Sequence, residues 1–208
     1  NHSGGDIGGS EMDITSGFIF TSSFGCVYPS LSFNKELEEF SLHLEKTTPS
    51  LSISNRHGYH SDYLSGDIPI IKKFFDAIKP SVQEYISTLH IQTPYRIYFD
   101  KPWININRKG GSNIAHNHPH RFLSAVYYVK TPPNCGDLCF LNTRCPNLFV
   151  LKTTKHTNEN SSFWKIKAAV GNLIIFPADI LHSVESNQSE EARISLVFNI
   201  DIDQIDNS

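Results

Sequence analysis

Trp103-Ile104-Asn105-Ile106-Asn107 and Leu123-Ser124-Ala125-Val126-Tyr127-Tyr128-Val129 bracket a run of alternating histidines, His116-Asn117-His118-Pro119-His120. Each bracket has the period of two that marks a β-strand. In the first, Trp103, Asn105 and Asn107 oppose Ile104 and Ile106. In the second, Ser124, Val126 and Tyr128 oppose Leu123, Ala125, Tyr127 and Val129. A third stretch sets Arg193, Ser195, Val197 and Asn199 against Ile194, Leu196 and Phe198. A polar face on a strand either meets water or lines a polar cavity.

Strands are expected at 95–100, 103–108, 122–130, 137–141, 148–153, 163–170, 172–176, 181–186 and 192–200, separated by turn punctuation such as Gly110-Gly111 and Pro132-Pro133-Asn134. A further short strand is expected around Phe18-Ile19-Phe20. Ahead of the strands, Asn34 reads as the N-cap of a short helix with Leu37, Phe40 and Leu44 on one face. Residues 67–90 hold the main helix, its apolar stripe built from Ile71, Phe74, Phe75, Ile78, Val82, Ile86 and Leu89. Pro80 should kink or split it. The expected fold class is α+β, mainly β: a two-sheet jelly roll over 93–200, with the helical section 12–92 packed on the outer face of one sheet.

The chain has 208 residues, which suits one domain with a real core. Its net charge of -3 and pI near 6.4 leave no electrostatic footprint for nucleic acid or an anionic membrane. No apolar run approaches the ~20 residues of a membrane span. Cys26, Cys135, Cys139 and Cys145 lack zinc-ribbon spacing and read as reduced thiols of a cytoplasmic protein. Met12 is the single methionine and reads as the native start, which makes residues 1–11 a tag remnant or a disordered tail and 12–208 one domain.

In an extended strand residues two apart share a face, so His116 and His118 converge on one point, and His182 supplies a distant third group. Imidazole is a common ligand for Fe, Zn, Cu and Ni. His120 lies on the same face, and Pro119 before it removes a ladder donor. The ligand pair is therefore His116 with His118 or His116 with His120. The loops at 47–66 and 143–162 carry His57, Tyr59, His60, Arg144 and His156, which suit a polar or acidic substrate.

The run from Trp103 to Val129 resembles the metal-binding strand region of the Fe(II)/2-oxoglutarate-dependent oxygenases, in particular a group with an HxHP and LSGVYYV pattern. The run from Gly171 through His182 to Asn187, and then Glu191 to Asn199, resembles the second half of the same signature. Ser54 to Ser61 is similar to that group's N-terminal pattern. The resemblance implies a double-stranded β-helix and a hydroxylase that uses Fe(II), 2-oxoglutarate and dioxygen on a C–H bond of a small-molecule or peptide substrate. It implies His116, His118 and His182 as metal ligands, with His118 standing where the family usually has Asp. It implies Arg193 and Ser195 at the far carboxylate of 2-oxoglutarate, the Tyr128 hydroxyl beside them, and Ser124, Val126, Asn105 and Asn107 lining the pocket. Three neutral imidazoles leave the metal one charge more positive than two imidazoles and a carboxylate, which favours Zn or Ni in purified protein.

Two other readings fit parts of the pattern. A cupin-type metalloenzyme shares the spacing Gly111…His116-x-His118 and Gly171…Pro177…His182, but the glutamate that should follow its histidine pair is replaced by Arg121, Phe122 and Leu123. A zinc hydrolase-like three-His centre, or a barrel with structural histidines, is the other. A buried Arg193 separates these readings, because the oxygenase alone needs that cation.

Overall fold

In the computed structural model of the chain, the described residues are 22–92, 94–143, 154–155, 157 and 160–205. The expected strands at Phe18-Ile19-Phe20 and at 148–153 lie outside them. Two helices, α1 (Asn34–Thr47) and α2 (Pro69–Ser87), accompany strands β1 (Gly25–Val27), β2 (Asn55–Arg56), β3 (Tyr59–His60), β4 (Tyr95–Phe99), β5 (Trp103–Asn107), β6 (Ser112–His116), β7 (Leu123–Lys130), β8 (Leu138–Leu141), β9 (Phe163–Ile166), β10 (Leu173–Pro177), β11 (His182–Val184) and β12 (Arg193–Gln204). The protein is mainly β.

The strands form two sheets. The larger runs β1-β10-β7-β12-β5-β3, with β4 paired to the far end of β12; the smaller runs β2-β6-β11-β8-β9. The observed pairings are antiparallel, and Gly110-Gly111 turns β5 into β6. A Cβ on Gly111 would stand 2.9 Å from the Arg108 carbonyl oxygen, so the turn has no room for a side chain there.

The alternation of the central strands sorts their side chains into two cores. Ile104, Ile106, Leu123, Ala125, Tyr127, Val129, Ile194, Leu196 and Phe198 join the α2 stripe in one apolar cluster. Phe74 meets Tyr127 and Phe198 edge-on at 5.3 and 5.7 Å, and Phe75 stacks on Phe99 at 4.7 Å. The opposite face of the large sheet packs Val126, Tyr128, Ile174 and Phe176 against Leu138, Phe140 and Ile166 of the small sheet.

Several local expectations are corrected. Asn34 is not the N-cap; Phe33 holds that position, with no side-chain cap hydrogen bond. The Asn34 amide instead donates to the Val129 carbonyl at 2.9 Å and accepts from the Tyr127 hydroxyl, tying α1 to β7. The main helix is shorter than 67–90 and continues through Pro80 without splitting, its apolar stripe buried on both sides of that residue. Strand β6 is an addition, the expected strand 163–170 stops at Ile166, and the last strand runs on to Gln204 because β4 pairs with its extension.

Candidate metal centre

Three side chains from two segments of the small sheet meet in one place. His116 ends β6 and His182 opens β11, directly opposite it in register. His118 lies beyond the end of β6, where its N–H donates to the Ala178 carbonyl at 2.8 Å. The expectation that one strand carries His116 and His118 is therefore corrected: the pair converges through a short irregular extension. One ligand atom from each of His116, His118 and His182 lies within 4.8 Å of the others. His120 is exposed, at a positive φ of 65°, and falls outside this group.

The hydrogen bonds around the rings suit a metal. His116 Nδ1 sits 2.7 Å from the Ile114 carbonyl and His182 Nδ1 sits 2.8 Å from the Ile180 carbonyl. A carbonyl only accepts, so Nδ1 carries the proton on both rings and Nε2 keeps its lone pair. His118 Nε2 is buried without a hydrogen-bond partner among the described residues. Such an atom is expensive to bury unless something fills its lone pair. His118 has no carbonyl anchor like those of its neighbours; its ring is sandwiched between Trp103 at 5.6 Å and His182 at 5.3 Å.

Burial lowers all three pKa values, and repulsion from His116 adds to the lowering of the other two, His118 to about 4 and His182 to about 3. The rings are neutral at pH 7, as ligation requires. Unfolded, they take up protons near 6.5. Their contribution to stability is therefore fully present above 6.5 and is lost as pH falls toward the folded values. The metal-free protein should hold a constant Tm above about pH 7 and lose Tm steadily below it. A Tm unchanged down to about pH 5 would contradict the burial of these rings.

The histidines open onto a cavity between the sheets, whose lining includes Trp103, Asn105, Asn113, Val126, Tyr128, Phe176, Arg193, Ser195 and Val197. Arg193 is 2 % exposed. Its Nη1 donates to the carbonyls of Cys135, Gly136 and Glu185. With the Asn107 amide oxygen turned toward it, Nη2 donates to that oxygen at 3.0 Å. No described carboxylate forms an ion pair with it. Burial lowers its pKa, with Tyr128, Cys135, Asp137 and Glu185 acting in the opposite direction. Tyr128 is fully buried within electrostatic reach of this guanidinium, and burial pushes its pKa up.

The structure thus brings Arg193, Ser195, Tyr128, Asn105 and Val126 to the histidine cavity, and leaves two expected lining residues off it. Asn107 is buried behind Arg193. Ser124 is buried opposite Asn199 on β12, and its hydroxyl has no partner. Of the loop residues, His57 is exposed, Tyr59 turns toward α1 with its hydroxyl 2.6 Å from Thr48 Oγ1, and His60 is buried against Trp103 at 5.8 Å. Arg144 and His156 lie outside the described residues.

Asn113 was not foreseen as a lining residue. Counting back by twos from His116 turns Ile114 and Ser112 inward. A register shift between the His182 and Val184 pairs breaks that count and brings Asn113 opposite Val184. The Asn113 amide then donates to Ser54 Oγ at 3.1 Å.

Residues 101–199 match the family model described as "Putative 2OG-Fe(II) oxygenase". A comparison with curated proteins gave no match. Among solved structures, a Pseudomonas putida prolyl-4-hydroxylase is similar with a TM-score of 0.61 at 13% identity, over 87% of this chain and 93% of that one. A Trichoplax adhaerens prolyl hydroxylase, solved with a hypoxia inducible factor peptide fragment, gives 0.59 at 18% identity over 85% and 82%. HygX from Streptomyces hygroscopicus, solved with nickel and 2-oxoglutarate, gives 0.54 at 13% identity over 87% and 83%. At these identities the structural likenesses speak to the fold. The family match speaks to the chemistry and removes the cupin and zinc-hydrolase readings. The matched segment holds all three histidines and Arg193, and over it the chain is similar to the 2OG-Fe(II) oxygenases, non-haem enzymes whose cofactors are Fe(II) and 2-oxoglutarate.

Proposed function

We propose that this enzyme hydroxylates a C–H bond, on a double-stranded β-helix (jelly roll) core, with His116, His118 and His182 holding the iron. The observation that carries the assignment is one cavity faced both by three ligand atoms within 4.8 Å of each other and by a buried guanidinium without a carboxylate partner among the described residues. Bound Fe(II), with 2-oxoglutarate and dioxygen, supplies the oxidising power as the cosubstrate is decarboxylated to succinate.

The chain's own residues have distinct tasks. Arg193 grips the far carboxylate of 2-oxoglutarate, helped by Ser195 and the Tyr128 hydroxyl. Its fork is pre-set, because the three carbonyls and Asn107 already fix its plane. Val126, Phe176 and Val197 contribute apolar lining to the cavity, which strengthens an ion pair made inside it. Ile114 and Ile180 hold two imidazoles in the ligating tautomer. A peptide or small molecule is the substrate class consistent with the solved relatives, one of which holds a peptide fragment and another hygromycin B.

The assignment is tested by substituting the neighbouring histidines. His118→Asp should keep metal binding and support some 2-oxoglutarate turnover, because it restores two histidines and a carboxylate. His118→Ala should lose most metal affinity, and His120→Ala should stay within a few-fold of the parent. Titrations in which His120→Ala damages binding and His118→Ala does not would move the ligand to His120. Succinate release against a substrate panel then tests the activity itself.

Trp103 has a supporting task that follows from the stack. It fixes the ring of His118 by packing, where the other two ligands use hydrogen bonds. Trp103→Ala should weaken metal binding by about 10- to 100-fold, the range for lost outer partners of a ligand. Trp103→Phe should retain most of it. Equal affinities for all three proteins in a metal titration would remove this role.

A further inference from the structure

We infer that the segment 54–61 is a clasp that positions Arg193, and that Ser54 is a positioning residue for the far carboxylate of 2-oxoglutarate, acting through Asn113 and Asn107. The inference rests on the cosubstrate role proposed above for Arg193 and deepens it.

The segment touches both sheets. β2 pairs with β6 of the small sheet, and β3 pairs with β5 of the large one. Asn55 holds the turn between β2 and β3: its amide donates to the Gly58 carbonyl at 2.8 Å and accepts from the Ile53 N–H at 2.9 Å. His57 takes a left-handed φ of 52° in that turn.

Two residues of the clasp reach the amides behind Arg193. The Asn107 oxygen accepts from Arg193 Nη2 at 3.0 Å and from the Ser112 N–H at 3.1 Å. The Asn113 amide lies 3.2 Å from the Asn107 amide and 3.1 Å from Ser54 Oγ. The Ser54 carbonyl accepts from the Ile114 N–H at 2.9 Å, which keeps the Ser54 side chain beside Asn113. Gly58 closes on Asn107 from the other end of the turn: a Cβ there would stand 3.2 Å from the Ile106 carbonyl oxygen and 3.4 Å from the Asn107 amide. Ser54, Asn113, Asn107 and Arg193 are each more than nine-tenths buried. A dry chain of polar groups thus runs from the clasp to the guanidinium.

The chemistry of the chain gives it a task. A guanidinium only donates, so Asn107 serves it only with the oxygen end of its amide forward. Half a rotation of that amide would present nitrogen instead. Asn113 and Gly58 restrain the rotation, and Ser54 restrains Asn113. Buried hydrogen-bond chains strengthen their members, and a fork held in advance loses less freedom on gripping a carboxylate.

The test uses the full chain loaded with Mn(II) without oxygen. It compares the affinity for 2-oxoglutarate with that for 2-oxovalerate, which carries a methyl group in place of the far carboxylate. Ser54→Ala should weaken 2-oxoglutarate binding by roughly 3- to 10-fold, the scale of one net hydrogen bond. Affinities for 2-oxovalerate and Mn(II) should stay as in the parent. In an Arg193→Ala background the same substitution should have no further effect, because its influence travels through the guanidinium. Ser54→Cys, which keeps the shape with a weaker donor, should show a smaller loss of the same selective kind, and it carries the test if Ser54→Ala does not fold. Equal loss for the two ligands, or no loss for either, would overturn the inference and leave the clasp a purely structural role. The same loss repeated in the Arg193→Ala background would also overturn it. An Arg193→Ala protein that binds 2-oxoglutarate like the parent would instead sink the cosubstrate reading itself, so the two failures are distinguishable.

Discussion

Replacing His182 by alanine is expected to abolish binding of added Fe(II) or Mn(II). Losing even an outer partner of a metal ligand weakens affinity by about 10- to 100-fold, and loss of the ligand itself should exceed that. His182 is the most deeply placed of the three, 5 % exposed and packed against Phe176 at 4.8 Å and Phe140 at 6.5 Å. The fold should survive, because the change removes a buried polar ring from an apolar setting while the β6–β11 backbone pairing stays. Calorimetric titration alongside circular dichroism checks both halves. A variant that is folded and binds metal like the parent would show that the triad is misassigned.

Arg193→Ala should weaken 2-oxoglutarate binding by ~1.5–3 kcal/mol, the range for a hydrogen bond to a charged group. It should also lower Tm, because the carbonyls of Cys135, Gly136 and Glu185 lose their shared donor. Those carbonyls belong to the turn before β8 and to the segment after β11, so the guanidinium joins the two sheets as well as serving the site. Arg193→Lys should rescue part of the binding and less of the stability, since an ammonium cannot satisfy this set of acceptors in one plane. Unchanged 2-oxoglutarate affinity in a folded Arg193→Ala protein would exclude the carboxylate role. Measuring Tm with and without 2-oxoglutarate separates the two effects, because only the ligand-dependent part reports the site.

Much of the large sheet was legible from period alone. In β5, β7 and β12 the alternation is strict, and the inward and outward sets fall where a period of two puts them. That works because each of these central strands is paired on both sides, and the one register shift between β12 and β7, at Ile194/Ser195, lies near the start of β12 and leaves the pairing from Ser195 onward regular. The α2 stripe was legible for the same kind of reason: its apolar positions recur every three to four residues against a continuous apolar sheet. Pro80 misled because local chemistry predicts a break there, while burial of the stripe on both sides of it holds the helix together.

The small sheet was less legible. Its strands are short, and β6 carries the register shift that brings Asn113 opposite Val184. Asn34 showed the same limit in a helix: the residue type suits a cap, yet a hydrogen bond to Tyr127, 93 positions away, takes its side chain.

By itself the sequence determined the mainly β architecture, the faces of the central strands, and the histidine and arginine chemistry of the site. These depend on periodicity and residue type, which are local properties. Only the tertiary structure decided that His118 rather than His120 lies close to His116 and His182, and that its ring stacks on Trp103. It also decided that Ser124 and Asn107 sit behind the cavity wall rather than on it. Those outcomes turn on where the chain leaves the sheet after His116, and that path is set by the Ala178 carbonyl, the Arg121 ion pairs and the left-handed turn at His120. Partners more than fifty residues away set most of that path, and no local pattern records them.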